Sequence, residues 1–327
     1  MTSIQNPNNQ SISAYIQASL ALNPHLAKHP NLPLLYLKER NPQLIPILSG
    51  GGSGHEPAHM GYIGDGMLTG ALYGPFFTPP KQADILEAIR FLDQGQGVFI
   101  IIKNFPADLL EFRGAIQAAR KEGHQVAYVL SHDDISIENK QKYQIRGRGL
   151  AGTILLHKIL GHAAQTGASL EDLEKLGLQI SSQIATIGFA SKTSTLFEKK
   201  RPTFTIPDNH ISYGIGIHGE EGYRMEAFTS SEQLANEILN KLRLHFHWKS
   251  GDSYILLINN LGTTSELEMG IFTHDLLQLL DIQGIQPTLV KSGRFMTSLD
   301  MAGISVTLCP AQNYLEALQA PTNAFAW

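Results

Sequence analysis

Apolar residues first fall at helical spacing between Ser11 and Ala27, at Ile12, Tyr15, Ile16 and Leu20, which predicts an opening helix. Leu44 to Leu48 reads as a strand that runs into Gly50-Gly51-Gly52. Lys81 to Gln94 is helical in spacing, and Val98 to Lys103 is a short, almost wholly apolar strand. A helix from about Asp108 to Lys121 leads into a third strand, Gln125 to Leu130. Apolar strands separated by helices predict parallel pairing, buried on both faces. Two more helices follow, Ala151 to Thr166 and one capped by Ser169 with Asp172 three residues on.

A second block begins near Ile184. Ile184 to Ala190 and Ile211 to His218 read as strands, and Ser230 with Gln233 resembles a capping box for a helix to about Leu244. Tyr254 to Asn259 predicts a strand, Glu266 to Leu280 a helix, and Gln286 to Val290 and Ser305 to Leu308 two further strands. The pattern predicts an α/β protein of two α/β domains, 1–184 and 185–327, with a mainly parallel sheet in the first. Chemistry is expected at their junction or at the C-terminal ends of strands.

Composition narrows the function classes. The chain has 327 residues, 43% hydrophobic and 17% charged, with a formal net charge of -4. A nucleic-acid binder would show a basic stripe; the longest basic run here, Lys199-Lys200-Arg201, reads as a solvated turn. No apolar run approaches the ~18 residues of a spanning helix. Met1 to Gln10 is polar and the first positive side chain is Lys28, so no secretory signal is expected and the expected compartment is the cytoplasm. The single cysteine, Cys309, excludes an intramolecular disulfide and a cysteine-based zinc site.

Three stretches carry candidate chemistry. In Ser49-Gly50-Gly51-Gly52-Ser53-Gly54-His55-Glu56-Pro57-Ala58-His59, glycines beside a strand let backbone N–H groups approach a ligand. A phosphate loop would continue with Gly-Lys-Ser/Thr, so no nucleotide site is predicted. His55-Glu56-Pro57-Ala58-His59 also matches the H-E-x-x-H zinc pattern, but Pro57 opposes the helix that pattern requires. In Lys103-Asn104-Phe105-Pro106-Ala107-Asp108, at a strand end, Lys103 can donate to a ligand oxygen and Asp108 can accept from a hydroxyl or act as a base; a plain helix cap is the alternative for Asp108. In Gly214 to Gly222, His218 ends a glycine-rich strand with an open imidazole, which when neutral can attack a carbonyl carbon.

Taken together, Gly50 to Pro57, Gly214 to Glu220 and Thr297-Ser298-Leu299-Asp300-Met301-Ala302-Gly303 resemble the dihydroxyacetone-binding K subunit of the dihydroxyacetone kinases. Gly147 to Thr153, Asn259-Asn260-Leu261-Gly262 and Pro321 to Trp327 fit as well, so the resemblance covers essentially the whole chain. It implies a homodimer of two-domain subunits that hold dihydroxyacetone as a hemiaminal on a histidine, here His218. It places the ligand loop on Gly52, Ser53, Gly54 and His55, the lysine on Lys103 and the catalytic aspartate on Asp108. His55 and Asp108 would assist phosphoryl transfer in a kinase. The nucleotide would sit on a separate subunit, and neither cofactor nor metal is expected in this chain.

Departures from the kinase pattern are uneven. Asn-Tyr-Thr-Gly-Asp-x-x-Asn-Phe is here Asn104-Phe105-Pro106-Ala107-Asp108-Leu109-Leu110-Glu111-Phe112. A carboxylate at Glu111 near a triphosphate would be repulsive by several kcal/mol at roughly 4 Å where solvent is excluded. Ala190 to Phe197, Pro75 to Pro80 and Glu221 have also drifted, and the segment between about Leu244 and Tyr254 is short. Ligand-holding positions are intact. The family contains a paralog that binds dihydroxyacetone and acts as coactivator with a TetR-type transcription factor, switching on the kinase operon. The chain resembles that coactivator, with the nucleotide-partnered kinase subunit as the alternative.

Overall fold

The computed structural model describes residues 4, 10–136, 147–196 and 201–327. Its first half runs α1 (Ser11–Leu22), β1 (Leu26–Lys28), β2 (Leu34–Leu37), β3 (Ile47–Ser53), β4 (Gly70–Phe76), α2 (Gln82–Leu92), β5 (Val98–Lys103), α3 (Pro106–Lys121), β6 (Val126–Ser131), α4 (Thr153–Gln165) and α5 (Leu170–Ser181). The second half comprises β7 (Ala185–Lys192), β8 (Thr195–Leu196), β9 (Arg201–Pro202), β10 (His210–Tyr213), β11 (Arg224–Ala227), α6 (Ser231–Phe246), β12 (Ser253–Asn260), α7 (Glu266–Ile282), β13 (Gln286–Gly293), β14 (Ala302–Pro310) and α8 (Leu315–Gln319).

The first sheet has the order β1-β2-β4-β3-β5-β6. Its β4-β3-β5-β6 part is parallel, and β1 and β2 add an antiparallel edge. Every residue of β3 and β5 is buried, as the apolar pattern predicts for a parallel strand covered on both faces. The second sheet, β11-β10-β7-β14-β12-β13, is antiparallel apart from the β12–β13 pair.

Among the described residues, three large cores and a small cluster of Ala190, Ile215, Leu261 and Met301 fill the layers. One lies between the first sheet and α2 and α3, around Ile85, Ile89, Phe112 and Ile116. A second lies between the second sheet and α6 and α7, around Ile238, Leu242, Phe272 and Leu276. The largest joins both sheets through α4 and α5, bringing Phe99 and Ile101 into one cluster with Ile255, Leu257 and Cys309. This explains why α4 is buried on all sides from Thr153 to Gly161, since it is the filling between two sheets. Tyr62 hydroxyl donates to Phe295 carbonyl at 2.6 Å across the same seam. The tail returns to the first half, where Ala326 N–H donates to Gly61 carbonyl at 3.0 Å and Asp65 N–H to Asn323 Oδ1 at 2.8 Å.

Several expected boundaries move, for local reasons. The opening helix stops at Leu22 rather than reaching Ala27, because Asn23 precedes Pro24 and leaves helical geometry. The glycine triplet lies inside β3 instead of following it. The strand expected from Ile211 to His218 ends at Tyr213; Gly214 takes φ +77°, a left-handed conformation that breaks the ladder, and the chain to Glu220 is a loop. Ser230 accepts from Gln233 N–H as half of the expected box, whereas Ser169 and Asp172 form the full reciprocal one. Lys199, Lys200 and Phe197 lie outside the described residues, and Arg201 is exposed. Among the described residues no helix is long and apolar enough to cross a membrane.

Candidate functional site

β3 ends against the end of β5, and the close approach is made possible by the absence of side chains on β3. A Cβ at Gly51 would stand 2.3 Å from Lys103 Nζ and 3.5 Å from Asp108 Oδ1, so that face of the strand is occupied by the lysine instead. Lys103 is the last residue of β5 and is 1% exposed; Asp108 lies in the first turn of α3 and is 3% exposed. Pro106 at the first helical position needs no N–H partner and starts α3 at no cost. Asp108 is not the helix cap: Phe105 occupies that position, and Asp108 Oδ1 is buried with no hydrogen-bond partner.

Replacing Gly51 by alanine will force the Lys103 ammonium off its position. Overpacking of this kind costs about 1–3 kcal/mol, to be read by urea unfolding, and calorimetry will show ligand affinity falling with it.

The loop after β3 carries His55, which is fully buried. Its Nδ1 lies 2.8 Å from Thr297 carbonyl, which can only accept, so Nδ1 carries the proton. Nε2 is therefore a lone-pair acceptor, and it is buried without a partner. Burial, then His218 and Lys103, hold the His55 imidazole well below the usual histidine range against the Thr297 hydrogen bond, keeping it neutral. The Ser53 hydroxyl donates to Gly74 carbonyl at 2.8 Å within the sheet. Gly54 N–H is also engaged, donating to both carboxylate oxygens of Glu56 at 3.1 and 3.0 Å. Gly52 packs on the backbone of the Phe77–Thr78 turn, where a Cβ would meet Thr78 N at 2.4 Å. The segment 55–59 is a turn, with Lys103 at His59 and Thr297 at His55, so the H-E-x-x-H residues do not form a zinc helix.

His218 reaches the same place from the second half of the chain. Its ring meets His55 edge to face at 4.9 Å and Phe105 at 4.3 Å, with its side chain 20% exposed. Nδ1 faces Glu220 Oε1 at 3.5 Å, and the backbone N–H of His218 donates to Glu220 Oε2 at 3.0 Å. Nε2 is left as the nucleophilic nitrogen. Burial would raise the Glu220 carboxyl, but His218 and Arg148 overcome it and bring it down to about 2. Arg148 braces the whole loop. Its Nε donates to Asp134 Oδ2 at 2.6 Å, its Nη2 to Gly214 carbonyl at 2.7 Å, and its Nη1 lies 3.9 Å from Glu220.

His55, Lys103, Asp108 and His218 thus converge from three separate stretches of the chain. Burial raises the Asp108 carboxyl, opposed by Lys103 and His218. The same burial lowers the Lys103 ammonium, opposed by Asp108 and Glu56. The arrangement offers a nucleophilic imidazole, a buried acceptor nitrogen, a buried carboxyl and a buried cation around one small volume. Such a set suits a short polyhydroxylated carbonyl compound.

The Dak1 domain matches residues 17–326, nearly the full length of the chain. The chain belongs to the Dak1 domain family. Within it, the chain is 49% identical over 308 residues to the DhaKLM operon coactivator DhaQ of Lactococcus lactis, covering 93% of each protein. It is 40% identical over 304 residues to the dihydroxyacetone-binding subunit DhaK of the PTS-dependent dihydroxyacetone kinase of the same organism, covering 92% of this chain and 91% of that protein. A solved structure of a dihydroxyacetone kinase operon co-activator, Dha-DhaQ, superposes with a TM-score of 0.90 at 46% identity, covering 96% of this chain and 97% of the other. The expected resemblance and the α/β fold of the K-subunit type both hold.

Sequence reading missed Glu220, Arg148, His59 and Thr297 as members of the site. Arg148, Glu220 and Thr297 stand inside the motifs that identify the family, but residue type alone does not say that Thr297 acts through its carbonyl. Glu111, expected to repel a nucleotide, instead serves the fold locally. Its Oε2 accepts from Gln82 N–H at 2.5 Å at the start of α2, where a carboxylate is favoured.

Proposed function

We propose that this Dak1 family member captures dihydroxyacetone covalently on His218 and works as a ligand-responsive coactivator of a TetR-type regulator of a dihydroxyacetone kinase operon, as a homodimer and without turnover. The observation that carries the capture step is the ring of His218, with Glu220 at Nδ1 and the vacant acceptor Nε2 of His55 beside it. The Nε2 lone pair of His218 forms the C–N bond, the carbonyl π pair moves to oxygen, and that oxygen takes up a proton. The proton on Nδ1 is stabilised by Glu220 and can leave to solvent, so protein and ligand combine without loss of atoms. His55 Nε2 accepts from a ligand hydroxyl, while Lys103 and Asp108 fix the others. Glycerol lacks the carbonyl and cannot form the bond.

The regulatory part rests on likeness to DhaQ, whose identity to this chain exceeds that of DhaK from the same organism, and on the drift at Pro106, Ala107 and Glu221 away from the kinase pattern. With net charge -4 and no basic stripe, the chain would reach DNA through a partner. Dihydroxyacetone shifts that assembly only if the liganded form binds the regulator differently. The loops of His55, Asp108 and His218 meet at the seam between the sheets, where an adduct can order them.

Calorimetric titration against TetR-type regulators, with and without dihydroxyacetone, will show tighter association in its presence, followed by reporter activation. Absence of association under both conditions overturns the coactivator reading. The kinase reading keeps one support, the retained His55 and Asp108. Mixing the chain with a competent nucleotide subunit and a phosphoryl donor is expected to give negligible dihydroxyacetone phosphate; turnover above ~1 per second would establish the enzyme instead.

A further inference from the structure

Against Lys103, the protein buries a second polar group of residues that the capture step does not use. His59 is 2% exposed, and its Nε2 lies 3.1 Å from Lys103 Nζ. Its ring stands 5.1 Å from that of His157, which is fully buried on α4, and His157 in turn lies 5.7 Å from the ring of Tyr62. His59 Nδ1 and both ring nitrogens of His157 are buried without protein partners. Burying that many polar atoms is unfavourable unless they serve a function or hold ordered water.

The chemistry of the contact fixes its direction. A lysine ammonium has three N–H donors and no acceptor, so His59 Nε2 must be the lone-pair nitrogen and Nδ1 must carry the proton. Burial, reinforced by Lys103, His157 and His55, keeps His59 neutral and able to accept. Burial and Lys103 bring His157 down to about 3, so it adds no second cation to the group.

We propose that His59 is a positioning residue for ligand capture, accepting one N–H of Lys103 and so aiming the remaining two toward Gly51, Asp108 and the bound ligand. An ammonium on a four-carbon stem has no preferred orientation of its own. Gly51 leaves room for the ammonium and His59 supplies it an acceptor at 3.1 Å, so Lys103 is held in place. The His157 ring packs against that of His59, and Tyr62 packs in turn against His157. The proposal rests on the dihydroxyacetone reading for the ligand, but not for the geometry.

The test therefore has two readouts. The first is 13C-lysine NMR of the unliganded protein, in which the Lys103 ε-carbon signal, assigned with Lys103→Met, reports the ammonium's surroundings. The second is the dissociation constant for dihydroxyacetone by calorimetry. His59→Phe keeps the ring volume and removes the acceptor; His59→Gln keeps an acceptor oxygen. His59→Phe is expected to shift the Lys103 signal and weaken dihydroxyacetone binding about tenfold or more, and His59→Gln to recover most of both. If the phenylalanine variant does not fold, His59→Leu makes the same comparison.

An unmoved Lys103 signal in the variant lacking the acceptor overturns the positioning role. So does a glutamine variant no better than the phenylalanine one. If the parent protein does not bind dihydroxyacetone while the Lys103 signal still follows residue 59, the ligand reading fails and the positioning role stands.

Discussion

Replacing His218 by alanine or asparagine will leave the fold intact and abolish covalent capture of dihydroxyacetone. The side chain sits in a loop, is 20% exposed, and packs against Phe105 rather than within the main core, so its loss removes little buried surface. What it removes is the imidazole proposed to form the bond, whose ring faces the Glu220 carboxylate at its other end. The neighbouring imidazole is not equivalent: His55 Nδ1–H faces the neutral carbonyl of Thr297, which stabilises the cation formed by attack less than the Glu220 carboxylate does at His218. Intact-protein mass spectrometry and 13C NMR of labelled dihydroxyacetone will show the adduct with the parent chain and none with the variants. Residual binding will be weaker by at least ~100-fold, or about 2.7 kcal/mol. Regulator association will lose its dependence on the ligand. A His218 variant that still forms an adduct, or a crystal with ligand bound beside unmodified His218, would refute the assignment.

The largest effect on stability is expected at Arg148. Arg148→Met will destabilise the protein by about 3–5 kcal/mol, the usual result of deleting one partner of a buried ion pair. Asp134, its partner at 2.6 Å, has a side chain only 1% exposed and would be left buried without its cation. Gly214 carbonyl would lose its shorter hydrogen bond and keep that from the Ser136 hydroxyl at 3.3 Å, so the loop that presents His218 loosens and capture weakens. Arg148→Lys restores charge but not the fork that reaches Asp134 and Gly214 together, and will recover only part. Urea denaturation measures the first effect and adduct formation the second; a loss below ~1 kcal/mol in Arg148→Met would show that the brace is dispensable.

Acid acts on the same loop with a definite sign. The Glu220 carboxyl is held down at about 2, below its ordinary value of 4.5. Its contribution is complete above that ordinary value and is lost as the pH falls through about 2.

The parts of the fold legible in the amino-acid pattern are those with one strong periodicity. Val98–Lys103 has a single apolar reading, and the helices after it keep their spacing for three or more turns, so β5, α3 and α7 lie close to their expected places. β4 was not legible because Gly70, Gly74 and Pro75 give it the composition of a turn; it is nonetheless central, since Gly74 leaves room for the Thr78–Pro80 backbone. In the site, His55, Lys103, Asp108 and His218 could be singled out by residue type at strand ends and glycine-rich turns. Their partners could not. Thr297 acts through its carbonyl, Glu220 through its reach to a histidine two residues away, and Arg148 through contacts that exist only after both sheets have formed. His59 attracted notice for a zinc pattern that its backbone does not support. Ser53, chosen for its place in the glycine loop, is turned into the sheet.

The hydrogen bonds that set His55 and anchor its loop span 242 residues to Thr297 carbonyl and 241 residues from Thr297 hydroxyl to Glu56 carbonyl. During synthesis, the glycine loop waits for a segment made 242 residues after His55. Contacts of such long range form late, after slow closure of the intervening chain. A ribosome-bound chain stopped before Thr297 therefore has the ligand loop and even His218, yet no oriented acceptor to receive dihydroxyacetone. On the proposed reading, dihydroxyacetone would meet an ordered site only in chains that already include Thr297.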